Sequence, residues 1–115
     1  MAATVVYLTS GTSWTVPTNW NNNSNSIECI GGGGGGSSAS IGAEYQAGGG
    51  GGGGAYSKIT NLTLTKGASI TYAIGSAGGI STDGGDTYFN GASLAASSVG
   101  AKGGSGAQAS SRNAG

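Results

Sequence analysis

The chain has 115 residues, of which 27 are glycine, one is cysteine and none is histidine, and its four basic and four acidic residues cancel to a formal net charge of zero. That balance leaves no basic patch able to release counterions from a nucleic acid or to dock on an anionic membrane, and the missing histidines remove the commonest general base. Cys29 has no partner for a disulfide within the chain, and no run of about 18 apolar residues exists for membrane insertion.

One domain fits this length, expected over residues 1–104, with residues 105–115 a flexible or docked tail. The 36% apolar content is inflated by alanine, so the core is thin. A domain with so little to bury usually gains the rest of its stability from disulfides, a metal or neighbouring subunits, and the first is excluded within this chain.

In chain order, Thr4-Val5-Val6-Tyr7-Leu8-Thr9 reads as a strand ended by Ser10-Gly11. Ser13-Trp14-Thr15-Val16 alternates polar with apolar until Pro17 stops it. Residues 19–25 form a polar, asparagine-rich loop, after which Ser26-Ile27-Glu28-Cys29-Ile30 is a strand running straight into a glycine run, Gly31 to Gly36. A polar insertion over residues 37–47 separates this from a second run, Gly48 to Gly54. Ala55-Tyr56-Ser57-Lys58-Ile59 and Leu62-Thr63-Leu64-Thr65 alternate again, and Lys66-Gly67-Ala68 turns the chain into Ser69-Ile70-Thr71-Tyr72-Ala73-Ile74. In that segment Ile70, Tyr72 and Ile74 share one face by the period of two. Residues 75–85 are a glycine-rich loop, Thr87-Tyr88-Phe89 is a short strand before the turn Asn90-Gly91, and residues 92–101 give the weakest strand signal. No segment carries helical periodicity with caps. The expected class is all-β, a small glycine-rich, β-sandwich-like module with packed polyglycine segments.

The two runs contain thirteen glycines. Holding them in fixed conformations costs on the order of 10 kcal/mol relative to alanine. Order therefore requires close packing, in sheets or in extended helices of three residues per turn related to polyproline II, where a missing Cβ lets main chains touch. Collagen is excluded, since no Gly-x-y period exists and Pro17 is the only proline. Phosphate cradling is a weak reading of the runs, because Gly54-Ala55-Tyr56-Ser57-Lys58 has the wrong spacing for a phosphate loop and leads into a strand.

Few residues are left to carry chemistry. Cys29 has no histidine to activate it and reads as a small buried hydrophobe on a strand. Asp83 and Asp86 sit in Thr-Asp-Gly-Gly-Asp-Thr, a faint likeness to calcium-binding turns, but one copy cannot complete an oxygen cage. They are expected to cap turns through local hydrogen bonds, so no metal, cofactor or catalytic residue is assigned. Two glycosylation sequons, at Asn22 and Asn61, are chance matches in a chain so rich in Asn, Ser and Thr. Trp14 reads as core. Trp20, Tyr45 and Tyr56 are candidates for an exposed binding or assembly surface, because an aromatic face offers a large contact area at little entropic cost.

Leu8-Thr9-Ser10-Gly11-Thr12-Ser13-Trp14-Thr15-Val16-Pro17, a strand entering Gly31 to Gly36, Gly48 to Gly54 followed by Ala55-Tyr56, and the Lys66-Gly67 turn before Ile70-Thr71-Tyr72-Ala73-Ile74-Gly75 and Gly78-Gly79 form an ordered combination. It resembles the glycine-rich domain of bacteriophage tail fibre and other virion surface proteins over residues 4–104. The resemblance implies a β-rich, oligomeric module on a virion, joined to other virion proteins and contributing to host attachment, with host surface glycan as a further partner. It implies no catalytic residues. The sequence departs from that pattern in residues 19–25 and at Cys29, where the family more often has a β-branched residue. The competing expectations are a capsid decoration or cement protein and, more distantly, a glycan-binding extracellular structural module.

Overall fold

The structure, a computed structural model, describes residues 4–37 and 49–107. It contains six strands and, among the described residues, no helix: β1 (Ser13–Thr15), β2 (Ser26–Ile30), β3 (Tyr56–Thr60), β4 (Ser69–Ala73), β5 (Thr87–Phe89) and β6 (Val99–Ala101). β1, β4, β5 and β6 form one antiparallel sheet in that order, while β2 and β3 form a second. The fold is all-β.

Alternation decides which side chains enter the core. Cys29 of β2, Ile70 and Tyr72 of β4, Phe89 of β5, and Val99 and Ala101 of β6 are buried together with Val16 and Leu64, and Trp14, Trp20, Ile27 and Ile59 pack around them. The β2–β3 sheet lies against β5 and β6. Its odd-numbered side chains point inward while Glu28, Ile30, Tyr56 and Lys58 stay exposed. Ile74, expected to share the face of Ile70 and Tyr72, falls beyond the end of β4 and is exposed. Gly67, with φ of 81°, supplies the left-handed residue of the turn that enters β4.

Two expectations need correction. Residues 4–9 form no strand: they make no backbone hydrogen bond among the described residues, and Val5, Val6 and Tyr7 stand in solvent. High β propensity is a readiness to fit a pleated surface, and here no neighbouring strand provides one. Residues 62–65 are also irregular, because asparagine side chains take the place of a partner strand: Leu62 N–H donates to Asn25 Oδ1 (2.9 Å) and Leu64 N–H to Asn22 Oδ1 (2.9 Å). Residues 102–107 are hydrogen-bonded to the glycine segments, and residues 108–115 lie outside the described residues.

Each of β2 to β6 continues directly into a glycine-rich segment or emerges from one. These segments are PG1 (residues 31–37, after β2), PG2 (49–55, before β3), PG3 (75–79, after β4), PG4 (82–86, before β5) and PG5 (102–107, after β6). The register of each strand pair carries on unchanged. β2–β3 passes into PG1–PG2, β4–β5 into PG3–PG4 through Gly85 N–H to Ser76 O, and β5–β6 into PG4–PG5 through Gly84 N–H to Gly104 O.

What changes is the period. Between PG1 and PG2 the bonds run from Gly31 to Ala55 (2.9 Å), Gly34 to Gly52 (2.8 Å) and Ser37 to Gly49 (2.9 Å), one every third residue. A strand repeats every two residues; a polyproline II-type helix repeats every three. The second of the two packings expected for the glycine runs is therefore the one adopted.

Candidate functional site

PG1 is the centre of the bundle, and its groups are shared among the other four segments in threefold rotation. Gly31, Gly34 and Ser37 donate to PG2, while Gly32 and Gly35 donate to Gly85 and Thr82 at 2.9 Å each, in PG4. Gly33 and Gly36 accept from Gly78 and Ser81, along and just beyond PG3; Gly32 and Gly35 accept from Gly104 and Ala107 of PG5. PG2 reaches PG5 in turn, through Gly52 N–H to Ser105 O and Ala55 N–H to Lys102 O. These cross-links between PG1 or PG2 and the other three segments join what are, in the strand half, two separate sheets.

The same threefold rule states why glycine is required. A Cβ on Gly31 or Gly34 would point at PG5, one on Gly32 or Gly35 at PG3, each far inside 3.0 Å of a backbone oxygen. No glycine of the bundle has a positive φ, so close approach is the constraint and not left-handed backbone. Gly36 meets Gly49 O at 2.9 Å and Gly54 meets the Gly31 carbonyl; Gly50 and Gly53, which face outward on PG2, meet nothing within 4 Å. Gly48 lies outside the described residues.

Asp83 and Asp86 are three residues apart, so both project from the same face of PG4. Each accepts a hydrogen bond from PG5, Asp86 Oδ1 from Gly103 N–H (2.8 Å) and Asp83 Oδ1 from Gly106 N–H (2.7 Å). The bonds expected to cap local turns instead tie two segments far apart in sequence. The i, i+3 spacing is the signal that could have revealed this. Among the described residues no group of three or more His, Cys, Asp or Glu is placed to hold a metal ion.

The aromatic candidates separate. Trp20 is half-buried, its ring edge-on to Trp14 with centroids 5.7 Å apart, and its Nε1–H donates to Asn22 Oδ1 (3.0 Å) and the Leu62 carbonyl (3.3 Å). It is therefore part of the packing around the core and does not offer a free platform. The polar loop folds it inward, held by Asn25, whose Nδ2–H donates to the carbonyls of Asn21 (2.7 Å) and Leu62 (3.1 Å). Sequence reasoning missed this group of asparagines, though their density between Trp20 and Ser26 was its trace. Tyr45 lies outside the described residues.

Tyr56 is 57% exposed beside its cross-strand neighbour Ile30, which is 67% exposed. The Tyr56 hydroxyl donates to Glu28 Oε1 at 2.5 Å, and that bond, ahead of desolvation and the nearby negative charge, raises its pKa above the ordinary phenol value. Together with Lys58 opposite Glu28, these residues give the outer face of β2–β3 an apolar pair bordered by one charge of each sign. Cys29 is buried, and desolvation pushes its thiol pKa up. A catalytic thiol needs the opposite shift.

A groove of about 1380 Å³ opens between residues 4–9 and the β2 side of the molecule, lined also by Ile74, Tyr88 and Phe89. No helix among the described residues is long and apolar enough to cross a membrane.

The family model of a glycine-rich domain matches residues 8–115. No curated protein and no solved structure matches the chain. The match begins at Leu8, the first residue packed on the core, and spans every strand and glycine segment described: the chain belongs to the glycine-rich domain family.

Proposed function

We propose that this chain is a non-enzymatic structural protein of a bacteriophage virion, a component of the tail fibre or tail tip that contributes to host attachment in company with other virion proteins. The observation that carries the reading is a hydrogen-bonded glycine bundle built as a rigid extension of a β module, with the apolar pair Ile30–Tyr56 exposed on a nearly charge-free chain. A surface of that kind suits contact more than turnover. The buried Cys29 thiol, the absence of histidine and the engagement of both Asp83 and Asp86 with backbone amides leave no nucleophile and base pair among the described residues. The sequence resemblance to virion glycine-rich domains points the same way.

The test is to label this chain on purified particles by immunogold microscopy and to measure binding of the purified protein to susceptible bacteria. Label at the tail tip, with binding reduced by Tyr56→Ala, supports the reading. Tyr56 is chosen because Trp20→Ala would disturb the packing around the core. Label on the head would instead favour the second reading, a capsid decoration protein whose exposed sheet face is buried against shell subunits. Absence of the chain from particles would overturn both.

A further inference from the structure

Residues 4–7 combine strand-forming chemistry with a lack of any partner. Thr4-Val5-Val6-Tyr7 is β-branched and aromatic, and among the described residues none of its N–H or C=O groups makes a hydrogen bond. Val5, Val6 and Tyr7 are 67%, 56% and 84% exposed. Consecutive residues of an extended segment face opposite ways, so neither face of it is covered. Leu8, next in sequence, is packed on the core, and Tyr72 anchors residues 10–12, its hydroxyl donating to the Ser10 carbonyl (2.5 Å) and its N–H to the Thr12 carbonyl (3.0 Å).

A complementary vacancy lies on the same molecule. The N–H of Asn61 donates to the carbonyl of Asn25 and that of Gly31 to the carbonyl of Ala55, so the odd-numbered residues from 25 to 31 turn their backbone groups toward β3. Ser26, Glu28 and Ile30 therefore present N–H and C=O along the other edge of β2, where no strand among the described residues pairs. That edge carries no proline, and its one charge, Glu28, is held by the Tyr56 hydroxyl. It borders the groove, which Ile30 and Ile74 line while remaining exposed.

We propose that residues 4–7 of one chain pair along the free edge of β2 in a second copy of this chain, reciprocally, with Leu8 as the fixed point from which the segment extends. Four extended residues reach about 13 Å, enough to run along most of a five-residue edge strand. Covering Val5, Val6, Tyr7, Ile30 and Ile74 on both copies removes on the order of 1,000 Å² of surface, the size at which specific interfaces begin to hold. A net charge of zero sets no long-range repulsion against self-association. The arrangement is isologous, each copy giving the element that the other lacks. It does not depend on where the protein acts.

The test is sedimentation of the full chain and of Val6→Pro over a wide concentration range, with hydrogen exchange as a check on folding. Proline removes the Val6 N–H and resists strand pairing, yet breaks no hydrogen bond among the described residues. The wild type is expected to dimerise, with amides in residues 4–7 protected in the dimer. Val6→Pro is expected to raise the dimer dissociation constant at least 100-fold while keeping the exchange protection of the glycine segments. A wild type that stays monomeric throughout, a Val6→Pro dimer as tight as wild type, or a Val6→Pro chain that fails to fold would each overturn the proposal, the last because it would give residues 4–7 a role inside their own chain.

Discussion

At the strand end of the molecule Ile27 and Cys29 reach inward from β2 and meet side chains of the facing sheet; at Gly31, two residues on, the side chains stop. Facing sheets stand about 10 Å apart when side chains fill the gap. Without them, PG1 lies against PG3, PG4 and PG5 at hydrogen-bonding distance, and the strand pairs of both sheets keep their register while merging into one body. One half is thus held by apolar burial and the other by main-chain contact. The lesson is that a core can be dispensed with where every backbone group that loses water finds another backbone group.

The sharpest way to break this contrast is substitution within the bundle itself. Gly35→Ala drives a Cβ into the Gly79 carbonyl, and the obstacle is backbone that cannot rotate away. A loss of about 4 kcal/mol or more, or failure to fold, is expected in thermal or denaturant unfolding. Gly53→Ala, in the facing segment, meets open space at negative φ, so a gain of up to about 1 kcal/mol is expected from reduced freedom of the unfolded chain. Equal effects at the two sites would mean that the threefold packing is absent.

In the strand half, Phe89→Ala should behave as an ordinary core truncation. Phe89 is buried and packs against Trp14 with ring centroids 5.7 Å apart, so a loss of about 3–5 kcal/mol is expected by denaturant unfolding. Asp86→Ala tests the seam between PG4 and PG5. It leaves the Gly103 N–H without its acceptor and should cost about 1–3 kcal/mol, whereas Asp86→Asn retains an oxygen at that position and should cost less.

The smallest effect concerns pH. Burial raises the Cys29 thiol pKa, so the folded state favours the protonated form. The corresponding stability is complete below the unfolded thiol pKa and is lost as pH rises through the higher folded value. Cys29→Ala should flatten this alkaline decline, and Cys29 in the folded wild type should react slowly with thiol reagents.

Much of the strand half was legible because alternation reports a buried face directly: β2 and β5 occupy the residues expected, and Ile70 and Tyr72 are buried as a pair. Where reading failed, the competing partner was a side chain or was missing. Asn22 and Asn25 satisfy residues 62–65 without a strand, Trp20 is pulled inward by a loop that looks merely polar, and residues 4–9 have β chemistry but no neighbour. The glycine runs announced close packing through the cost of ordering them. Their threefold period is invisible in a uniform run and shows only at its edges, as in the spacing of Asp83 and Asp86.

Residue-resolved amide hydrogen exchange tests the main-chain contact most directly. Gly31, Gly32, Gly34 and Gly35 should be protected to an extent comparable with β4, while Gly50 and Gly53, whose amides make no backbone bond among the described residues, exchange rapidly. Uniformly fast exchange through residues 31–36 and 49–54, or protection alternating every second residue, would contradict a bundle held together by its backbone.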